Sequence, residues 1–230
     1  MNKMEKVKKI LEETGKYWIG FVGDSITSCE WVHPNWREIV EYVLKEELQP
    51  RFADWRVPSW GIRCFNYGFD GATTKDIINL ITNNQIPITN LDLVIVMIGA
   101  NDKSKRLSPD QHLENIGKIL EKLKNTEVVW VTDMKPNRKG PALNYEKYVE
   151  VDRKYKWGKV KFIDMFSEFS KLKLNRLFTF KYKGNPDYWH PNQLGNAYIA
   201  KVILKEVFGV EFDPEKYIKE DLAGEKYPGY

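Results

Sequence analysis

Apolar positions along this chain follow two periods. Over residues 1–13, Met4, Val7, Ile10 and Leu11 recur at three- and four-residue spacing, which is one face of an amphipathic helix. The run Tyr17-Trp18-Ile19-Gly20-Phe21-Val22 is short and nearly continuous, as in a buried strand. Helical spacing returns at Trp36, Ile39, Val40, Val43, Leu44 and Leu48, with Pro34 expected at the first helical position. A second strand is expected over residues 63–67, ending at Gly68. Thr73 or Thr74 then caps a helix to about Asn83. Residues 91–98 are almost wholly apolar, the mark of a strand covered on both faces in a parallel sheet. Ser108-Pro109 pairs a cap with a first-turn proline and opens a helix striped by Leu113, Ile116, Ile119, Leu120 and Leu123. A strand at 128–131, a helix at 142–156 and a strand at 160–164 follow. Pro191 opens a last helix with Leu194, Ala197, Tyr198, Val202 and Ile203 turned inward. Residues 28–33 read as a loop, 49–61 and 165–186 as irregular, and 209–230 as a charged tail packed on the surface.

Strands and helices therefore alternate five times. That order predicts an α/β fold, a three-layer α/β/α sandwich with a five-stranded parallel sheet and right-handed crossovers. Neither a repeat nor a linker interrupts it, so residues 1–230 are read as a single domain.

Composition narrows the function classes. The 230 residues are 42% apolar, enough for a sizeable core, and the net charge of +4 does not demand nucleic acid. No stretch approaches 18 uninterrupted apolar residues, so no membrane span is expected. Residues 1–16 are charged and lack the apolar segment of a secretory signal, so the expected location is the cytoplasm. Cys29 and Cys64 are expected to be free thiols, each a small buried hydrophobe. No metal-ligand spacing and no phosphate-cradling glycine loop with lysine is found, so no cofactor is expected.

The candidate chemistry starts at Gly23-Asp24-Ser25-Ile26-Thr27. The first strand stops there, and open α/β sheets bind ligands at the carboxyl ends of their strands. A nucleophilic serine needs a base, a group that orients the base, and donors for the developing oxyanion. Three histidines are available: His33, His112 and His190. His112 falls inside a helix, where a surface or packing role is expected. The other two share one pattern. Asp187-Tyr188-Trp189-His190-Pro191-Asn192 and Glu30-Trp31-Val32-His33-Pro34-Asn35 each place a carboxylate three residues before a histidine. In either, the carboxylate can hold Nδ1–H and leave Nε2 as acceptor, as in Ser-His-Asp triads. Local chemistry alone does not choose between them.

Four blocks together resemble the GDSL/SGNH hydrolases: Gly23-Asp24-Ser25-Ile26, Asn66-Tyr67-Gly68-Phe69-Asp70-Gly71, Gly99-Ala100-Asn101-Asp102 and Asp187-Tyr188-Trp189-His190. Ile26 stands where leucine is the namesake residue, and the Gly-x-Ser-x-Gly elbow of α/β-hydrolases is missing. The resemblance spans about residues 17–205 and implies a flavodoxin-like SGNH-hydrolase fold. It implies Ser25 as nucleophile, His190 as base by chain order, Asp187 as its partner, and an oxyanion hole of Ser25 N–H, Gly71 N–H and Asn101. The implied activity is a serine esterase acting on small acyl esters, with acetyl groups on carbohydrate favoured. Thioester hydrolysis, lysophospholipase action and acyl transfer would use the same residues. A flavodoxin-like binding protein is the rival from another class, but it would need no base beside its serine.

Six aromatic residues fall in or beside loops near the proposed edge: Trp31, Trp36, Trp55, Trp60, Tyr188 and Trp189. They are read either as sugar-stacking faces or as core. Asp24, Trp31, His33 and Trp189 form the candidate substrate rim. Residues 169–186 carry Lys171, Lys173, Arg176, Lys181 and Lys183 without an acidic residue, read as a solvated surface or a positive rim. The expected partner is a small-molecule or glycan ester, with no nucleic acid.

Overall fold

The strand β1 (Tyr17–Gly23) lies between two partners because both of its faces are apolar and both edges find parallel neighbours. The structure is a computed structural model and describes residues 3–54, 56, 59–138 and 145–221. β2 (Ile62–Gly68) pairs with one edge of β1, and β3 (Leu93–Met97) pairs with its other edge. β4 (Glu127–Val131) and β5 (Lys161–Ile163) complete a five-stranded parallel sheet in the order β2-β1-β3-β4-β5. Gly23 is level with both Gly68 and Met97, so three strands end side by side.

Strand alternation divides the core into two layers. Tyr17, Ile19, Phe21, Leu93, Ile95, Met97, Val129 and Val131 face one side. There they meet α1 (Lys3–Thr14), α2 (Trp36–Leu48), α7 (Met165–Ser170) and α8 (Gln193–Ile203). Val22, Val94, Val96, Val128 and Trp130 face the other side, against α3 (Thr74–Thr82) and α5 (Pro109–Lys122). Each fully buried aliphatic or aromatic side chain contributes about 1.5–3 kcal/mol, so these two layers supply the main driving force for folding. Two shorter helices follow, α4 (Ala100–Ser104) after β3 and α6 (Glu146–Lys154), which packs against α5 and, through Val149, against Phe166.

Several expected details differ. Pro34 and Pro191 each precede the cap and do not begin the helix. Asn35 caps α2 in a capping box with Glu38, and Asn192 caps α8. Asn side chains make better caps than the prolines beside them make first turns. The stripe on α5 runs through His112, Ile116 and Ile119, while Leu113 is 39% exposed. Residues 165–186 are not irregular throughout, since they hold α7, a short 3₁₀ turn (Leu174–Arg176) and a hairpin of β6 (Lys181–Tyr182) and β7 (Asn185–Pro186). Cys64 is buried, but Cys29 is exposed, and both are free. The tail turns through α9 (Pro214–Lys216), with Pro214 and Tyr217 buried. Trp55, residues 142–144 of the expected helix and residues 222–230 of the tail lie outside the described residues. No helix among the described residues is long and apolar enough to cross a membrane.

Candidate active site

Ser25 sits on a tight turn built by its neighbours. The Asp24 carbonyl accepts from Thr27 N–H and Ser28 N–H, both at 3.0 Å, and the Asp24 carboxylate accepts from Ile26 N–H at 3.0 Å. The turn folds back over the strand end so closely that a Cβ on Gly23 would lie 2.2 Å from Thr27 Oγ1 and 2.5 Å from the Met97 carbonyl. Asn35 pins the turn from the other side. Its Nδ2 donates to the carbonyls of Ile26, Thr27 and Ser28 at 3.0–3.1 Å. Asn35 thus both caps α2 and pins the turn, a double task that depends on contacts no local pattern contains.

His190 approaches this turn from 165 residues away. Its Nε2 lies 3.0 Å from Ser25 Oγ, and its Nδ1 lies 2.7 Å from Asp187 Oδ2. The other Asp187 oxygen accepts from the backbone N–H groups of Trp189 and His190 at 2.8 and 3.1 Å. Burial alone would raise the Asp187 carboxyl. Those two N–H donors and the imidazole outweigh it and hold the carboxyl below the usual range. An ionised carboxylate only accepts, so it takes Nδ1–H and leaves Nε2 to accept the Ser25 proton. Asn196 ties the two loops together. It accepts from Trp36 N–H at the start of α2 and donates to the Pro191 carbonyl, both at 3.0 Å.

The second carboxylate-histidine pair does not assemble. His33 faces Glu38 at 3.1 Å with 79% of its side chain exposed, and Glu30 accepts from Ser28 Oγ. His33 is therefore not beside the pocket at Ser25. Its backbone carbonyl accepts from Gln193 Nε2, a helix-joining contact.

The pocket at Ser25 has a volume of about 630 Å³, and its walls include Trp31, Gly71, Asn101, Arg138, Trp189 and His190. A groove of about 400 Å³ continues from it past Trp31, Trp189, Tyr182 and Lys183. Trp31 stacks on the His190 ring, with centroids 4.0 Å apart and planes 6° apart, and donates Nε1–H to Asp70. It thus packs on the histidine as well as lining the pocket. Asp24 is not a rim residue. It is 1% exposed and forms the pocket floor, where Oδ2 accepts from Asn101 Nδ2 at 3.1 Å. Burial, then the charge of Asp133, pushes the Asp24 carboxyl well above the ordinary range. Trp36 is core, while Trp60 is 58% exposed and away from the pocket. In the basic stretch, Lys171 pairs with Glu168 and Arg176 with Glu215, so only Lys183 of that set reaches the groove.

Gly71 stands at φ +68° opposite the turn. Asn101 follows Gly99, whose φ of +145° disfavours any side chain and whose missing Cβ would sit 3.0 Å from His112 Cε1. Ala100 N–H donates to Asp133 Oδ2 at 2.5 Å. Among the described residues, neither Ser25 N–H nor Gly71 N–H has an acceptor in the protein. With the Asn101 amide, these groups can meet negative charge developing on a bound carbonyl oxygen.

Residues 21–198 match the model of the GDSL-like lipase/acylhydrolase family. The chain belongs to that family. It is accordingly a hydrolase of ester bonds. No curated protein sequence matches it. Among solved structures, a lipase/acylhydrolase from Enterococcus faecalis superposes with a TM-score of 0.67 at 20% identity, covering 84% of this chain and 96% of that one. The acetylxylan esterase of Geobacillus stearothermophilus gives 0.63 at 20% identity, covering 86% and 95%. A two-domain esterase active on acetylated mannans, crystallised with mannopentaose, gives 0.59 at 19% identity, covering 92% of this chain and 56% of that one. At these identities the likeness speaks for the shared fold of this GDSL-like hydrolase.

His112 is neither on the surface nor a plain packing residue. It is 0% exposed, with Nδ1 2.7 Å from Asp102 and Nε2 2.9 Å from Asp152. Both ring nitrogens face carboxylates, so the imidazolium is the form that satisfies both. Burial pushes its pKa down, but the two carboxylates prevail and raise it to about 9. A raised folded-state value adds stability that is complete below the unfolded value, about 6.5, and is lost as pH climbs through about 9. Asp133, raised by burial to about 6, is mostly ionised at the start of that window and adds little to the change across it. Unfolding free energy, measured by denaturant titration, is therefore expected to fall by roughly 3 kcal/mol between pH 6.5 and 9. A His112→Gln variant should be less stable at pH 6.5 and should lose most of that slope. An unchanged slope would mean that His112 is not charged in the native state.

Proposed function

We propose that this hydrolase removes short acyl groups, acetyl foremost, from carbohydrate esters, with Ser25 as nucleophile. The observation that carries the reading is the unbroken line from Ser25 Oγ through His190 to Asp187, opening into the pocket. Ser25 attacks the ester carbonyl as His190 takes its proton. Ser25 N–H, Gly71 N–H and the Asn101 amide hold the oxyanion. The tetrahedral intermediate collapses, the alcohol leaves with the proton from His190, and the acyl group remains on Ser25. Water then attacks the acyl-enzyme, giving its proton to His190, and the acid departs as Ser25 is restored.

Two features support a carbohydrate leaving group. Trp189 and the 57% exposed Tyr182 flank the groove beyond the pocket, and aromatic faces suit the apolar faces of sugar rings. Two of the structural neighbours named above act on acetylated xylan or mannan. The test is a panel of acetylated sugars, p-nitrophenyl esters of increasing acyl length and acyl-CoA thioesters. Acetyl sugars should give the highest kcat/KM. A maximum at long acyl chains or at thioesters would overturn the substrate assignment, and transfer to an added sugar alcohol in preference to water would make the protein an acyltransferase.

The oxyanion assignment carries its own expectation. Asn101→Ala should lower kcat by about 10²–10³-fold with a much smaller change in KM, because that donor meets charge present only in the transition state. A defect confined to KM would make Asn101 a substrate-binding residue.

A further inference from the structure

Two of the three proposed oxyanion donors, Gly71 and Asn101, lie on loops far apart in sequence. Gly71 precedes α3 and Asn101 opens α4. For both to serve one oxygen, the two helix starts must keep a fixed separation. One side chain spans them. Asp102, adjacent to Asn101 and 0% exposed, accepts from Thr74 N–H at 2.8 Å through Oδ1 and from Thr74 Oγ1–H at 2.6 Å through Oδ2. Thr74 is the first residue of α3, three positions after Gly71.

The surroundings leave Asp102 little freedom. Oδ2 also accepts from His112 Nδ1 at 2.7 Å, and Thr74 Oγ1 accepts from Asn115 Nδ2 at 2.9 Å. His112 is held in turn by Asp152 on α6, and its ring packs against Gly99, where only glycine leaves room. Asp133 holds the next residue, Ala100, by its N–H. Thr73 caps α3 in a capping box with Asp76, which makes the helix start itself rigid. A buried carboxylate with three such contacts is costly to displace, because any lost partner leaves a buried group unpaired.

Resting on the oxyanion reading given above, we infer that Asp102 is a positioning residue that locks the Gly71 and Asn101 loops together through Thr74, with His112 as its backing. Asp102 reaches no substrate and takes no proton. Its effect is on the distance between two donors. A hydrogen bond to a developing oxyanion weakens steeply with misplacement, so a shift of about 1 Å can cost up to 10²-fold in rate.

The test compares Asp102→Asn, Thr74→Val and Thr74→Ser with Asn101→Ala. Asparagine at 102 cannot accept from Thr74 and His112 as the carboxylate does. Valine at 74 removes only the hydroxyl, so it carries the test if Asp102→Asn does not fold. Expected losses in kcat are about 10²-fold for Asp102→Asn and about tenfold for Thr74→Val, with KM within about twofold. Thr74→Ser restores the hydroxyl and should recover most of the kcat lost in Thr74→Val. Affinity for phenylboronic acid, which forms a tetrahedral adduct on the serine, should fall in parallel with kcat. A role in stability alone would lower the melting temperature and leave the boronate affinity and kcat unchanged. That result, obtained alongside a large kcat loss in Asn101→Ala, overturns the lock and spares the oxyanion reading. An Asn101→Ala enzyme with undiminished kcat overturns the oxyanion reading itself, and the lock with it.

Discussion

Replacing Ser25 by alanine is expected to lower ester turnover by roughly 10⁴-fold or more. The oxygen that forms the acyl bond disappears, while the oxyanion donors and the pocket remain and supply the residual rate. The fold should be unaffected. Ser25 Oγ meets only His190 among the described side chains, and the turn is held by backbone bonds and by Asn35. Thermal unfolding should therefore stay within a few degrees of the wild type. A fluorophosphonate probe should label the wild-type protein at Ser25 and leave Ser25→Ala unlabelled. Labelling that persists at another residue would end the assignment of the nucleophile.

His190→Ala should be about as damaging as Ser25→Ala, and the double mutant little worse than either. Groups that act as a unit are strongly non-additive, because once one is gone the other has nothing to do. The imidazole is also a packing partner of Trp31, so the variant's melting temperature must be compared as well. A loss of activity that tracked unfolding would be a packing effect. His33→Ala should cost at most about tenfold, through a loosened loop leading into α2. Its ring is exposed and turned to Glu38, and its loss should add independently to other mutations. Full activity in His190→Ala together with a dead His33→Ala would move the base to the first loop and reverse the assignment.

Much of the fold was legible because its signals are short-ranged. The continuous apolar runs at β1 and β3 and the caps at Thr73 and Ser108 each involve a handful of neighbouring residues. The burial of His112 and of Asp24 has one cause, partners distant in sequence. His112, expected in a surface or packing role, occupies the buried line of α5 with Ile116 and Ile119. What makes burial tolerable is a pair of carboxylates 10 and 40 residues distant. Asp24, expected at the rim, is buried although charged residues usually face water. Its burial is sustained by Asn101, 77 residues away. Alternation at Phe178, Phe180 and Tyr182 marks an extended segment, but the two-residue strands of the hairpin at 181–186 are too short to set their own pairing.

By itself, then, the sequence determined the element types, the parallel α/β class, the candidate blocks and their attachment to strand ends. Those follow from local sterics, capping and the burial of apolar faces. Tertiary structure decided which histidine meets the serine. Two copies of the carboxylate-x-x-His pattern are chemically alike, and they differ only in where the topology delivers them. The short loop between β7 and α8 brings His190 to the turn where β1 ends, and Asn196 joins it to the start of α2. His33, carried on the loop leading into α2, is instead turned outward by its contact with Glu38. Contacts across 165 residues depend on the order of strands in the sheet, which no window of neighbouring residues encodes.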